Sequence, residues 1–171
     1  MPEILDLGST RDRNAIDLAT SRNRRIPNAR RPERVPEALA AAMQFVTESH
    51  PSARLRSPTG TYNCIGMAFA NRRTCIEPHH VQTILEDDGY TEVNPADVVP
   101  GDLLVYRDHN GTISHVAVVI SHEPDLANAR WKTTVVSQWG YDGEYFHDHA
   151  DVNHLLGRPD RFYSEKKRRQ A

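Results

Sequence analysis

Residues 99–120 read VPGDLLVYRDHNGTISHVAVVI, and how this stretch folds decides the rest of the chain. Leu103 to Arg107 and Ile113 to Ile120 are rich in β-branched and aromatic residues, and His109-Asn110-Gly111-Thr112 between them carries turn chemistry. The spacing predicts an antiparallel hairpin. Strict alternation along the second strand would put Ile113, His115, Ala117 and Val119 on one face and Ser114, Val116, Val118 and Ile120 on the other. His115 would then interrupt an apolar face.

Downstream, KTTVVSQWG and DRFYSE read as further strands. Upstream, PEALAAAMQFVTES has proline in its first turn and an alanine-rich helical pattern, and EPHHVQTILEDDGY reads as a helix started by Pro78 and stopped by Gly89. Helices followed by antiparallel strands predict an α+β fold, its strands forming a meander. Between the two helices lies GTYNCIGMAFANRR, in which Cys64 opens a short helix-like run. A helix N-terminus favours a thiolate through its free N–H groups and dipole. A nucleophile also requires a base, usually histidine, oriented by a third polar group.

YNCIGMAF followed by VPGDLLVYRDHNGTISHVAVVI resembles the NlpC-type branch of the papain-like cysteine peptidases and amidases. Its signature is a cysteine opening a helix, then PGDL leading a strand, a turn with glycine, and a strand containing ISHV. Pro100-Gly101-Asp102-Leu103, Gly111 and Ile113-Ser114-His115-Val116 fall in family order over residues 60–140. The resemblance implies a papain-like fold, Cys64 as nucleophile and His115 as general base and acid. It implies hydrolysis of a peptide or isopeptide-like amide through an acyl-enzyme. In the family a polar residue on the following strand orients the histidine; here that is Gln138 or Ser137, with Gln138 preferred for its reach, or else a later histidine of YFHDHADVNH. Tyr62 and Asn63 stand beside the oxyanion position, with Ser114, Ser137 and Trp139 as further substrate contacts. The family usually has Asp before its cysteine, where this chain has Asn63.

Other features have plainer readings. Cys75 reads as a packed thiol. His147, His149 and His154 in YFHDHADVNH read as an exposed histidine-rich loop in preference to a zinc site, so neither metal nor cofactor is expected. Trp139-Gly140-Tyr141-Asp142-Gly143 reads as a loop that either closes one side of a cleft or caps the core.

Net charge is −2, so the chain as a whole gives no electrostatic reason to expect a nucleic-acid or membrane partner. Charge is unevenly spread: residues 11–34 carry eight arginines against Asp12, Asp17 and Glu33, and Lys166-Lys167-Arg168-Arg169 cluster near the end. The expected organisation is a basic arm over 1–34 with a helix at 11–22, a hydrolase domain over 35–164 and a basic tail over 165–171. Solvated tails are the preferred reading, with weak contact to nucleic acid or an acidic protein as the other. No apolar stretch approaches the ~20 residues of a membrane span. MPEILDLGSTRDRNAIDLA lacks the pattern of a secretory leader, and two cysteines make no disulfide framework. These features point to a cytoplasmic protein or one exported by a leader-free route, and the family resemblance implies a bacterial or phage source. Its partner would be a peptide or protein substrate. The alternatives are a non-catalytic binding module of the same fold and an acyltransferase or deamidase effector.

Overall fold

The structure is a computed structural model that describes residues 14–165. Its elements in chain order are β1 (Asn28–Ala29), α1 (Pro36–Ser49), β2 (Arg54–Ser57), α2 (Cys64–Phe69), β3 (Cys75–Ile76), α3 (Val81–Asp87), β4 (Tyr90–Val93), β5 (Leu103–Arg107), β6 (Ile113–Asp125), β7 (Arg130–Gln138), β8 (Glu144–Asp148) and β9 (Arg158–Glu165). Seven strands form one antiparallel sheet in the order β2-β8-β7-β6-β5-β9-β4, and β1 pairs with β3 apart from it. The α+β class follows directly. β5 to β8 do form a meander, but β9 returns to lie between β5 and β4, so the sheet as a whole does not.

The hairpin between β5 and β6 is built by its turn. Asp108 Oδ1 accepts the N–H groups of Asn110 and Thr112, and Gly111 has φ +78°. Bidding the chain back on itself there needs the left-handed backbone that glycine adopts without strain. Register then departs from plain alternation, because a bulge between Tyr106 and Arg107 pairs Arg107 with Ile113. Ile113 consequently packs in the same cluster as Val116, while His115 opposes Tyr106 on the other face.

The two faces bury different clusters. On one, Leu103, Val105, Ile113 and Val116 pack against Ile65 of α2 and Ile84 and Leu85 of α3. On the other lie Leu104, Tyr106, Ala117, Val119 and Val135, with Trp139, Tyr145 and Val46 of α1 in an adjoining cluster. Val46 is the only fully buried residue of α1.

Three strands of the seven-stranded sheet escape the sequence reading, β2, β4 and β8, as does the short β1/β3 pair. β8 runs through the segment read as an exposed histidine-rich loop, and it buries His147 completely. The arm differs too. Among the described residues 14–22 there is no helix; Ala19 instead bridges Arg25, and Thr20 and Arg24 bind the buried carboxylate of Asp87. Ile26 is buried in the α2/α3 cluster, a contact of about 2 kcal/mol that ties residues 14–34 to the domain. The rest of the basic arm, 1–13, and the lysine and arginine cluster at 166–169 lie outside the described residues. No helix among the described residues is long and apolar enough to cross a membrane.

Candidate functional site

Cys64 is the first residue of α2, and the loop before it is held from several sides. Asn63 caps the helix: its Oδ1 accepts Gly66 N–H at 2.9 Å and Ile76 N–H at 3.1 Å, while its Nδ2 donates to the Ile76 carbonyl at 2.7 Å. One side chain thus starts α2 and joins it to β3. Gly66 lies so close to the Thr74 carbonyl that a Cβ would collide with it. Tyr62 gives its hydroxyl to Glu144 at 2.6 Å, and burial, reinforced by Glu144, pushes its pKa up to about 12.

Glu144 is the centre of a charge cluster that sequence reasoning missed. It is fully buried and also accepts from Arg56 at 2.7 Å and from Arg72 at 2.8 and 3.0 Å. Burial works to raise its pKa, but the bonds from Arg72 and Tyr62 outweigh this and hold the carboxyl below its ordinary range. Tyr62 precedes α2 and Arg72 follows it, so Glu144 grips both ends of the short helix that carries Cys64.

The sulfur sits in a fork between two strands. β6 and β7 are paired from Val118/Val136 outward, and the ladder stops there on the side toward Val116. Val119 N–H donates to Asp102 at 2.8 Å, so by alternation Val105/Val116 is a non-hydrogen-bonded pair and Val116 N–H points away from β5. α2 packs onto β6 and β7. The N–H groups of Val116, Ile65 and Cys64 itself all favour the thiolate, but burial outweighs them and pushes the Cys64 thiol up to about 11. Cys64 is 7% exposed.

His115 adjoins Val116 on β6 but points to the sheet's other face. Its ring lies T-shaped to Tyr106 at 5.1 Å, it has no exposed surface, and neither ring nitrogen has a hydrogen-bond partner, the Cys64 sulfur included. Burial, with neighbouring His147, pushes its pKa down to about 3. Gln138 does not hold this ring: its amide N–H groups go to the Thr59 and Gly140 carbonyls at 2.9 and 3.1 Å, and its buried Oε1 has no partner. Ser137, the other sequence candidate, does lie on His115's face; its hydroxyl accepts Trp139 Nε1–H at 3.0 Å and lies 2.8 Å from His147 Nε2. His147 Nδ1 is 2.8 Å from the Asp148 carbonyl, which fixes the proton on Nδ1 and leaves Nε2 to accept from Ser137. Burial pushes His147 down to about 4.

Ser114 is committed elsewhere, donating to the Leu156 carbonyl at 2.8 Å. Trp139 is buried, edge-on to His50 and His147, and caps the core as one of its two sequence readings had it. Its outer side forms a wall of a cleft of about 480 Å³ shared with Arg34, Phe45, Tyr141, Leu155 and Leu156; neither Cys64 nor His115 lines it. Cys75 is buried and donates to the Thr61 carbonyl at 3.7 Å. Among the described residues, no group of three His, Cys, Asp or Glu side chains could hold a metal ion. The structure therefore gathers Tyr62, Asn63, Cys64 and Gln138 around the α2 side of the sheet, and His115, Ser137, His147 and Trp139 on the other. The signal that could have revealed His147 and Glu144 was the alternation in EYFHD, a strand pattern obscured by its charges. Compared with known proteins, the chain matches no family model, no curated protein and no solved structure.

Proposed function

We propose that this chain is a papain-like cysteine hydrolase of amide bonds, with Cys64 as nucleophile and His115 as general base and acid. The observation that carries the reading is the fork. A thiol at a helix N-terminus faces three backbone N–H groups, one of them from the residue next to a buried histidine whose ring nitrogens are unengaged. Buried polar atoms without partners are costly, and they are characteristic of sites that complete their bonding during a reaction.

In the arrangement described, a thiol near 11 and an imidazole near 3 are both neutral. This is a resting state: proton transfer from sulfur to imidazole requires the fork to open until the two side chains, held on opposite faces, come within hydrogen-bond reach, and the entry of substrate or water then removes the burial that opposes both charges. His115 then takes the Cys64 proton as sulfur bonds to the amide carbonyl carbon. The backbone N–H groups at the fork stabilise the oxyanion. As the C–N bond breaks, His115 returns the proton to the leaving amine. Water, deprotonated by His115, cleaves the thioester and releases a carboxylic acid while the thiol recovers its proton. Of the candidates for a third member, Ser137 and His147 share His115's face, whereas Gln138 lies on the opposite face with its amide held by two carbonyls.

Incubation with a mixture of peptide thioesters, followed by mass spectrometry, tests the reading. An acyl adduct is expected on Cys64 in the wild type and not in His115→Ala. An adduct that forms equally without His115, or on Cys75 in place of Cys64, would overturn it.

A further inference from the structure

The cleft beside Trp139 plays no part in the chemistry proposed for Cys64. Its space of about 480 Å³ is that of a small-ligand site, and its lining is mostly apolar: Phe45 and Val46 of α1, Trp139, Leu155 and Leu156. Phe45 is 56% and Leu155 75% exposed, so two large apolar side chains of this lining have no cover among the described residues. The walls are held before anything binds. Trp139 N–H donates to the Gly143 carbonyl and Asp142 N–H to the Trp139 carbonyl, both at 2.8 Å, and the Tyr145 hydroxyl donates to the Asp142 carbonyl at 2.9 Å. Asn153 Oδ1 accepts Leu155 N–H at 3.0 Å, and Ser114 donates to the Leu156 carbonyl at 2.8 Å. Little ordering of these loops remains for a ligand to impose.

The polar groups of the cleft are few and directional. Arg34 pairs with Asp142 Oδ1, while Asp142 Oδ2, an acceptor, and Asn153 Nδ2, a donor, have no partner among the described residues. Arg31 stands beside them. Its backbone N–H donates to the Thr61 carbonyl at 3.1 Å, and its guanidinium lies 4.5 Å over the ring of Tyr141, which lines the cleft. Among the described residues that guanidinium makes no ion pair and no hydrogen bond. Glu33, two residues on, is taken by the Thr59 hydroxyl and, at 2.9 Å, by Gly60 N–H. A half-buried guanidinium seated on a ring keeps its fork of N–H donors for an anion, and the fork matches a carboxylate.

We propose that this cleft binds the carboxyl terminus of a peptide ending in a bulky apolar residue. The last side chain fills the space between Phe45, Trp139 and Leu155, and the terminal carboxylate takes the free donors of Arg31. The preceding amide finds its acceptor in Asp142 and its donor in Asn153. A fatty or aryl acid would use Arg31 and the apolar walls but leave that acceptor and donor idle, which favours the peptide. The site is independent of whether Cys64 is a nucleophile.

Fluorescence anisotropy of the full chain with an N-terminally rhodamine-labelled tetrapeptide, glycyl-alanyl-glycyl-phenylalanine, tests the proposal, its C-terminus either free or amidated. The free acid should bind about tenfold more tightly than the amide, the size expected of one charge-assisted pair partly open to solvent. Arg31→Gln should erase that preference without changing the affinity for the amide, and Arg31→Lys should keep part of it. Leu155→Ala, at an exposed position that folding does not depend on, should weaken binding of both peptides severalfold. Serine in place of the terminal phenylalanine should weaken binding to the wild type as much. Equal affinity for acid and amide, or a preference that survives Arg31→Gln, would overturn the proposal, as would no binding of the free acid at about 1 mM. Hydrocinnamate, a small acid with the same apolar group, should compete only weakly; competition as strong as the peptide's would overturn the peptide in favour of a small carboxylic acid.

Discussion

Lowering the pH from 8 to 5 should remove about 4 kcal/mol of folding stability through His115 and His147 alone. Both rings are buried and neutral, with pKa values pushed down to about 3 and about 4, whereas the unfolded chain titrates its histidines near 6.5. At pH 5 the folded rings still bind no proton and the unfolded ones do. Each histidine then favours the unfolded state by about 1.5 pH units at 1.36 kcal/mol per unit, or about 2 kcal/mol. The sign is that of depressed histidines: the stability is fully present above about 6.5 and is lost as pH falls toward the folded values. Because the result at pH 5 depends on the unfolded value, it is insensitive to how far below 5 the folded values lie. Urea unfolding followed by tryptophan fluorescence at pH 8, 6.5 and 5 would measure it. His147→Gln should lower stability at pH 8, through the broken bonds to Ser137 and Asp148, yet reduce the loss between pH 8 and 5 by about 2 kcal/mol. Identical pH dependence in wild type and variant would refute the reasoning, since it would mean that the folded ring already carries a proton.

Cys64→Ala should abolish amide hydrolysis at a stability cost of about 1 kcal/mol, while Cys75→Ala should leave activity within a fewfold; equal losses in a turnover assay would count against the nucleophile assignment. Glu144→Gln should destabilise by about 3 kcal/mol, because Arg56 and Arg72 lose their shared anion, and thermal unfolding would register it. Asn63→Ala deletes the α2 cap and both bonds to Ile76, so a loss of about 2 to 3 kcal/mol is expected by urea titration, a change under 0.5 kcal/mol being contrary to the structure. Gly66→Ala should be worse tolerated than Gly89→Ala, whose added Cβ meets nothing within 4 Å although its φ of +76° carries backbone strain; comparing midpoints of the two variants decides it.

What the sequence by itself determined is local. The His109–Thr112 turn, the start of α2 at Cys64, the proline-led helix α1 and the two strands of the central hairpin each depend on contacts within a few residues, and those were legible. Only the tertiary structure decided which side chains share a face and which polar groups are satisfied. A single bulge at Tyr106/Arg107 moved Ile113 away from His115's face, and alternation cannot announce a bulge. β8 was hidden because a buried glutamate and histidine look like surface residues until Arg56, Arg72 and Tyr62, or Ser137 and the Asp148 carbonyl, arrive from elsewhere in the chain to pair with them. The arm looked like a solvated tail for the same reason: Thr20 and Arg24 find Asp87 more than 60 residues away. Cys64 and His115 were singled out as a pair by the resemblance of the motifs around them. Their separation by a sheet that forks at Val118/Val136 depends on where strand pairing ends, a property of the folded chain that no short window contains.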